Sequence, residues 1–240
     1  MNNLTEFWKN EITGWKKSEI FWLAFANVAI LGISLYMGDT AIGIIASLTG
    51  VTCVILCGKG KLSNYIFGAV NVVLYAVVAW NAKYYGDVML NLLYYLPANI
   101  IGWFVWKKYL DSETGEVIKK RMTIRQDIVV TVICIAGIIG YSWILKALGG
   151  NLPLIDSMST VLSVVAQILM IKRFTEQWIV WIIVDAVSVV MWIAAYFNGT
   201  ESIAVLLMWI IFLLNAIIMY VKWYRDSAET MRYEAEPMGA

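Results

Sequence analysis

The sequence predicts an all-α integral membrane protein of eight transmembrane helices. Two parallel three-helix repeats, joined by a linker helix, form its core, and one extra helix precedes them. Three observations carry this reading. First, runs without a charged residue occupy 20–38, 40–58, 62–82, 88–106, 128–145, 157–171 and 202–221, and an eighth, 177–200, is broken only by Asp185. A span takes ~20 predominantly apolar residues and ~17 at the least, a length the 157–171 run reaches if it starts near Pro153. Second, counting loops alternately puts all of the 18 Lys and Arg except Lys83 and Lys146 on the N-terminal side of the membrane. Basic loops stay inside, so both termini are expected in the cytoplasm. Third, the runs fall into two similar sets of three. With 61% hydrophobic and 15% charged residues the chain is not a soluble globular protein, and a net charge of +1 gives no case for a nucleic-acid partner.

Residues 3–17 put Leu4, Phe7, Trp8, Ile12 and Trp15 on one side and lysines off it, the pattern of an amphipathic helix lying in the membrane interface. The first span, 20–37, is too long for a cleavable signal and completes an N-terminal unit of 1–39. The first repeat, 40–107, holds helices at 40–57, 63–81 and 86–107. Small residues Gly43, Ala46, Ser47 and Gly50 stripe the first of these, which suits close helix packing. Pro97 in the third removes a backbone donor and should bend the helix near mid-membrane. A cytoplasmic linker and a nearly featureless linker helix at 127–146 fill 108–153. The second repeat, 154–224, holds helices at 154–171, 177–196 and 201–222, and the polar tail 225–240 is expected to be disordered.

Asp185 dominates the functional reading. A carboxylate at the bilayer centre costs ~2.5–3.5 kcal/mol on insertion scales, so such residues are rare and usually functional. Trp178, Trp181, Asp185, Ser188 and Trp192 recur at steps of three and four, on one helix face. An acid among indoles suits a flat cation, because indole faces attract positive charge. Asn71, Tyr75, Asn91, Tyr95, Asn99, Gln167 and Asn215 add donors and acceptors at membrane depth. Aligning the repeats pairs Ser47 with Ser157 at an offset of 110, Asn71 with Asp185 at 114 and Asn99 with Asn215 at 116. Equivalent positions four spans apart enter from the same side, so the repeats are parallel and their shared cavity lies at mid-depth. The three cysteines, Cys53, Cys57 and Cys134, lie within apolar runs, and without histidine no metal site and no cofactor is expected.

The run YGDVMLNLLYYLPANIIGWFVWK at 85–107 and the run QILMIKRFTEQWIVWIIVD at 167–185 resemble the signatures of the PnuC-type nicotinamide riboside transporters. The resemblance extends from the second helix onward. At Asn99 that family more often carries Gln, which keeps the hydrogen-bonding capacity and changes the reach. The resemblance implies the three-plus-one-plus-three layout of the sugar-carrying SWEET proteins and uptake of nicotinamide riboside across a bacterial inner membrane by facilitated diffusion. A cytosolic kinase would then trap the substrate. The candidate binding residues are Asn71, Tyr75, Asn91, Tyr94, Asn99, Gln167, Trp178, Trp181, Asp185 and Asn215. The lipid bilayer is the expected surrounding, and homo-oligomers are left open. Competing readings are a proton-coupled carrier using Asp185 and a sugar or nucleoside carrier of the same fold. An enzyme is disfavoured because no nucleophile–base pair stands at helical spacing.

Overall fold

A computed structural model describes residues 3–81, 85–149, 153–197 and 203–235; Lys83 and 236–240 of the tail lie outside them. It contains α1 (Asn3–Ile12), α2 (Lys17–Tyr36), α3 (Ala41–Lys59), α4 (Asn64–Asn81), α5 (Tyr85–Met89), a π-helical turn (Leu90–Tyr95), α6 (Leu96–Lys107), α7 (Ile124–Ala147), α8 (Pro153–Ile171), α9 (Gln177–Phe197) and α10 (Ile203–Ala235). α5, the π-turn and α6 make one continuous span, and eight helices among the described residues are long and apolar enough to cross a membrane. Local chemistry sets where several begin. Thr40 caps α3 by accepting from Gly43 N, and Thr123 and Gln126 form a capping box at α7. Asp39 Oδ2 accepts from Ala204 N at 2.7 Å and so caps α10 from the α2–α3 corner.

Within the repeats α4 packs on α3 and α6, and α9 packs on α8 and α10. Across them the third helix of each lies on the first helix of the other, α10 on α3 and α6 on α8. That reciprocity is what a two-fold axis along the membrane normal requires. Two buried indoles repeat it: Trp106 donates to Met170 O at 3.0 Å and Trp223 donates to Gly58 O at 2.7 Å. α7 packs on α8, and the extra helix α2 covers α3 and α10.

The turns ending α3 and α8 set the repeat register. Gly60 N and Lys61 N bond Cys57 O and Leu56 O, while Arg173 N and Phe174 N bond Met170 O and Leu169 O. Both turns pass through a left-handed residue, Gly60 at φ 84° and Arg173 at φ 67°. The equivalence therefore runs at an offset of 113, and the two indoles give 117 for the third helices. This corrects the offsets of 110, 114 and 116: Asn71 corresponds to Val184, and Asp185 to Val72. Matching polar residue to polar residue misleads here because the two halves diverge most at the cavity.

The basic rim of the bundle differs most from expectation. α1 stops at Ile12, short of the predicted helix over 3–17, where the chain turns through the left-handed Gly14 at φ 77°, and Glu11 in its last turn points inward. Its carboxylate accepts from Leu62 N at 3.1 Å, Ser63 N at 3.3 Å and the Ser63 hydroxyl, at the start of α4. The linker is an ordered hairpin whose Val117 N donates to Gly60 O and whose Lys120 pairs with Phe174. Lys59 bridges Glu19 at 2.6 Å and Glu116 at 2.7 Å, Lys222 meets Glu19 at 2.7 Å, and Lys119 joins Glu116 and Asp226. Burial pushes the Glu116 carboxyl up, but Lys119 and Lys59 more than offset it, so it is held below its ordinary value. Lys61, fully buried, donates to the carbonyls of Asn10, Thr13 and Thr114, and burial brings its pKa down to about 8. Of the tail expected to be disordered, the described part, 225–235, is helical: α10 runs to Ala235, Asp226 reaches Lys119 and the buried Ser227 bonds Thr175.

Candidate functional site

A cavity of about 150 Å³ lies between the repeats. Two of its walls differ in chemistry. α3 and α10, which pack together, contribute Gly50, Cys53, Val54, Met208 and Phe212. The π-turn with α6, and α8, contribute Asn91, Tyr95, Asn99, Ser163 and Gln167. The pseudo-two-fold axis exchanges these walls, α3 with α8 and α6 with α10, so that Gly50 corresponds to Ser163 and Val54 to Gln167. α4 and α9 supply the facing pairs Gly68 and Trp181, Asn71 and Val184, Val72 and Asp185, Tyr75 and Ser188. Backbone positions are shared between the halves and side-chain chemistry is not.

Asp185 is 3% exposed and opens onto this cavity, and among the described residues no hydrogen bond or ion pair engages its carboxylate. A buried charge without a partner costs several kcal/mol. Asn99 and Gln167, also buried, likewise carry no hydrogen bond among the described residues. Asn71 is half committed: its Nδ2 donates to Ala46 O at 2.8 Å. Glycines let these amides in. A Cβ at Gly50 would stand 2.7 Å from Asn71 Nδ2, and one at Gly68 would stand 3.0 Å from Asn99 Oδ1.

Aromatic residues close both ends. Toward the basic rim, Trp178 meets Trp223 edge-on at 5.7 Å, and Trp106 packs on Trp223 and Tyr65. At the other end Tyr75 packs edge-on against Trp192 at 6.0 Å and Trp209 at 6.1 Å. Trp181 stands between, 6.4 Å from Tyr95. The expected bend at Pro97 takes the form of the π-turn just before it, where Leu96 N bonds Asn91 O, five residues back. Such wide turns inside α-helices occur frequently at functional sites.

Eight of the ten candidate residues line the cavity: Asn71, Tyr75, Asn91, Asn99, Gln167, Trp178, Trp181 and Asp185. Tyr94 does not; its hydroxyl donates to Val164 O at 2.7 Å and ties the π-turn to α8. Asn215 does not either. It is fully buried, donates to Val54 O at 3.0 Å and accepts from Trp22 Nε1 at 3.3 Å, because α2 covers that face of α10. Asp87, at the end of an apolar run, and Ser163 line the cavity although neither was a candidate, and so does Tyr95, named at membrane depth but left out of the binding set. The spacing Asp87, Asn91, Tyr95, Asn99, four residues at each step, was the available signal. Cys53 and Cys57, within their apolar run, also face the cavity.

The profile of the nicotinamide mononucleotide transporter family matches residues 40–225. Over 223 residues, covering 90% of this chain and 85% of the relative, the sequence is 39% identical to the nicotinamide riboside transporter PnuC of Neisseria mucosa. The chain belongs to the PnuC transporter family. The PnuC of Haemophilus influenzae, also named a nicotinamide riboside transporter, is 34% identical over 88% of this chain and 92% of its own length. A crystal structure of the vitamin B3 transporter PnuC superimposes with a TM-score of 0.84 at 37% identity, covering 93% of this chain and 97% of that one. As a PnuC-family protein the chain is a multi-pass membrane transporter and not an enzyme.

Proposed function

We propose that this transporter carries nicotinamide riboside, the substrate named for its relatives. The carrying observation is the buried, unpartnered Asp185 carboxylate in a cavity walled by Trp178 and Trp181. A pyridinium ring supplies the missing charge and a flat face for the indoles, worth ~2 kcal/mol or more when desolvated. The free amides of Asn99 and Gln167, with Asn71, Tyr75 and Asn91, suit the carboxamide and ribose hydroxyls. Tyr94 and Asn215 are left out of the binding set.

The family profile is named for nicotinamide mononucleotide, which adds a phosphate. The described lining offers that anion two carboxylates, Asp87 and Asp185, and no Lys or Arg, which favours the riboside. Transport runs by facilitated diffusion and alternating access of the two repeats, with the basic rim and both termini in the cytoplasm of the bacterial cell and a kinase there trapping the product. Calorimetry on the purified protein tests the substrate: the riboside should bind, and the mononucleotide and neutral ribosides should bind far more weakly. Equal binding of the mononucleotide would remove the charge argument. Uptake into proteoliposomes should persist when an uncoupler is added; collapse would instead establish proton coupling.

A further inference from the structure

We propose that Asp87 is a second cation-selecting carboxylate of the transport cavity, holding the positively charged substrate at the end away from the basic rim before it reaches Asp185. The inference rests on the riboside reading above and adds a residue and an order of events to it.

Asp87 stands in the first turn of α5, where the span begins opposite the basic rim, and lines the same cavity as Asp185. Its side chain faces α4, where the Tyr75 hydroxyl donates to Oδ2 at 3.4 Å. That is a long, weak bond for two oxygens, which ordinarily approach to about 2.7–2.8 Å. No ion pair with Lys or Arg engages it among the described residues. An acid in a first helical turn is favoured by the helix dipole wherever its side chain points. The dipole does not require the side chain to enter a cavity and meet a tyrosine of another helix.

The backbone explains how Asp87 connects to the deeper site. Asp87, Asn91, Tyr95 and Asn99 all line the cavity, four residues apart. In a regular α-helix that spacing drifts about 40° around the axis at each step, so the first and last would face different neighbours. The π-turn at Leu90–Tyr95 widens the coil between them and takes up the drift. Asn91 Nδ2 donates to Asp87 O at 2.8 Å, which holds the first step of the ladder. A polar stripe thus descends from Asp87 to Asn99 along the wall facing the α3–α10 apolar side, and a monocation meets a carboxylate at its outer end and another on α9.

The test compares nicotinamide riboside with its reduced dihydro form, which has nearly the same shape and no positive charge. Binding of both to the purified full-length protein gives a cation preference. Asp87→Asn should lower that preference about tenfold, with little change for the neutral form. Tyr75→Phe, which removes a binding hydroxyl and keeps the charge, should weaken both forms alike and leave their ratio intact. A preference unchanged in Asp87→Asn overturns the inference and leaves the riboside reading standing. A wild type that binds both forms equally overturns the riboside reading itself. Should Asp87→Asn bind neither form, Asp87→Glu decides: a retained preference supports the charge role, and its loss refutes it.

Discussion

Replacing Asp185 by Asn should move stability and binding in opposite directions. The carboxylate is buried, opens onto the cavity and has no protein partner among the described residues. With the site empty that charge is a liability, and neutralising it should stabilise the ligand-free protein by about 1–3 kcal/mol. With the substrate bound, a pyridinium about 4 Å away at an effective dielectric near 20 gains ~4 kcal/mol of attraction. Part of this is returned because the cation loses its hydration, which leaves about 1.5–3 kcal/mol, the range for hydrogen bonds to charged groups. Affinity should therefore fall ~10–100-fold. Thermal unfolding in detergent reads both effects at once. The ligand-free midpoint should rise in Asp185→Asn, and the further rise on adding the riboside should shrink, since ligand stabilisation follows concentration over Kd. A variant that melts below wild type without ligand, or binds the riboside as tightly, would refute the reasoning.

Gly50→Ala places a methyl 2.7 Å from Asn71 Nδ2 and 2.8 Å from Met208 Sδ, so it should narrow the cavity and weaken binding by about 1–3 kcal/mol with the fold retained, measured by calorimetry on the monodisperse variant. Asn215→Ala should lower the unfolding midpoint and leave riboside affinity unchanged, because Asn215 braces Trp22 and Val54 O. Asn99→Ala should do the reverse, and the same two measurements compare them. Glu116 is held below its ordinary value of 4.5, so the stability it contributes is fully present above pH 4.5 and is lost as pH falls through its lower folded value. The unfolding midpoint should drop across that acid range, and Glu116→Gln should flatten the drop; an equal slope in the variant would assign the loss to other groups.

The legible features were those whose cost is local. Each span is a stretch that must lose its water, so its composition declares it wherever it finally packs. Asp185 was legible for the same reason, as a charge that no chain buries without use. Asn99 and Asn215 show where that reasoning ends. Both are amides within apolar runs, yet one faces the cavity and the other braces α2, and nothing in either local sequence says which helix covers which face. Asp87 stands just outside the apolar run 88–106, a place water can reach, and only the packing of α5 beside Tyr75 brings it inside. Asp226 and Ser227 looked like a solvated tail until Lys119 and Thr175 supplied partners distant in the chain.

Sequence by itself determined the membrane environment, the number of spans, the three-plus-one-plus-three order and the buried charge, because transfer from water to lipid acts residue by residue. The tertiary structure alone decided the repeat register, the exchange of polar and apolar walls between the halves, and which amides remain free for a ligand. Those depend on which neighbour satisfies each polar group, and a neighbour exists only once the helices have packed.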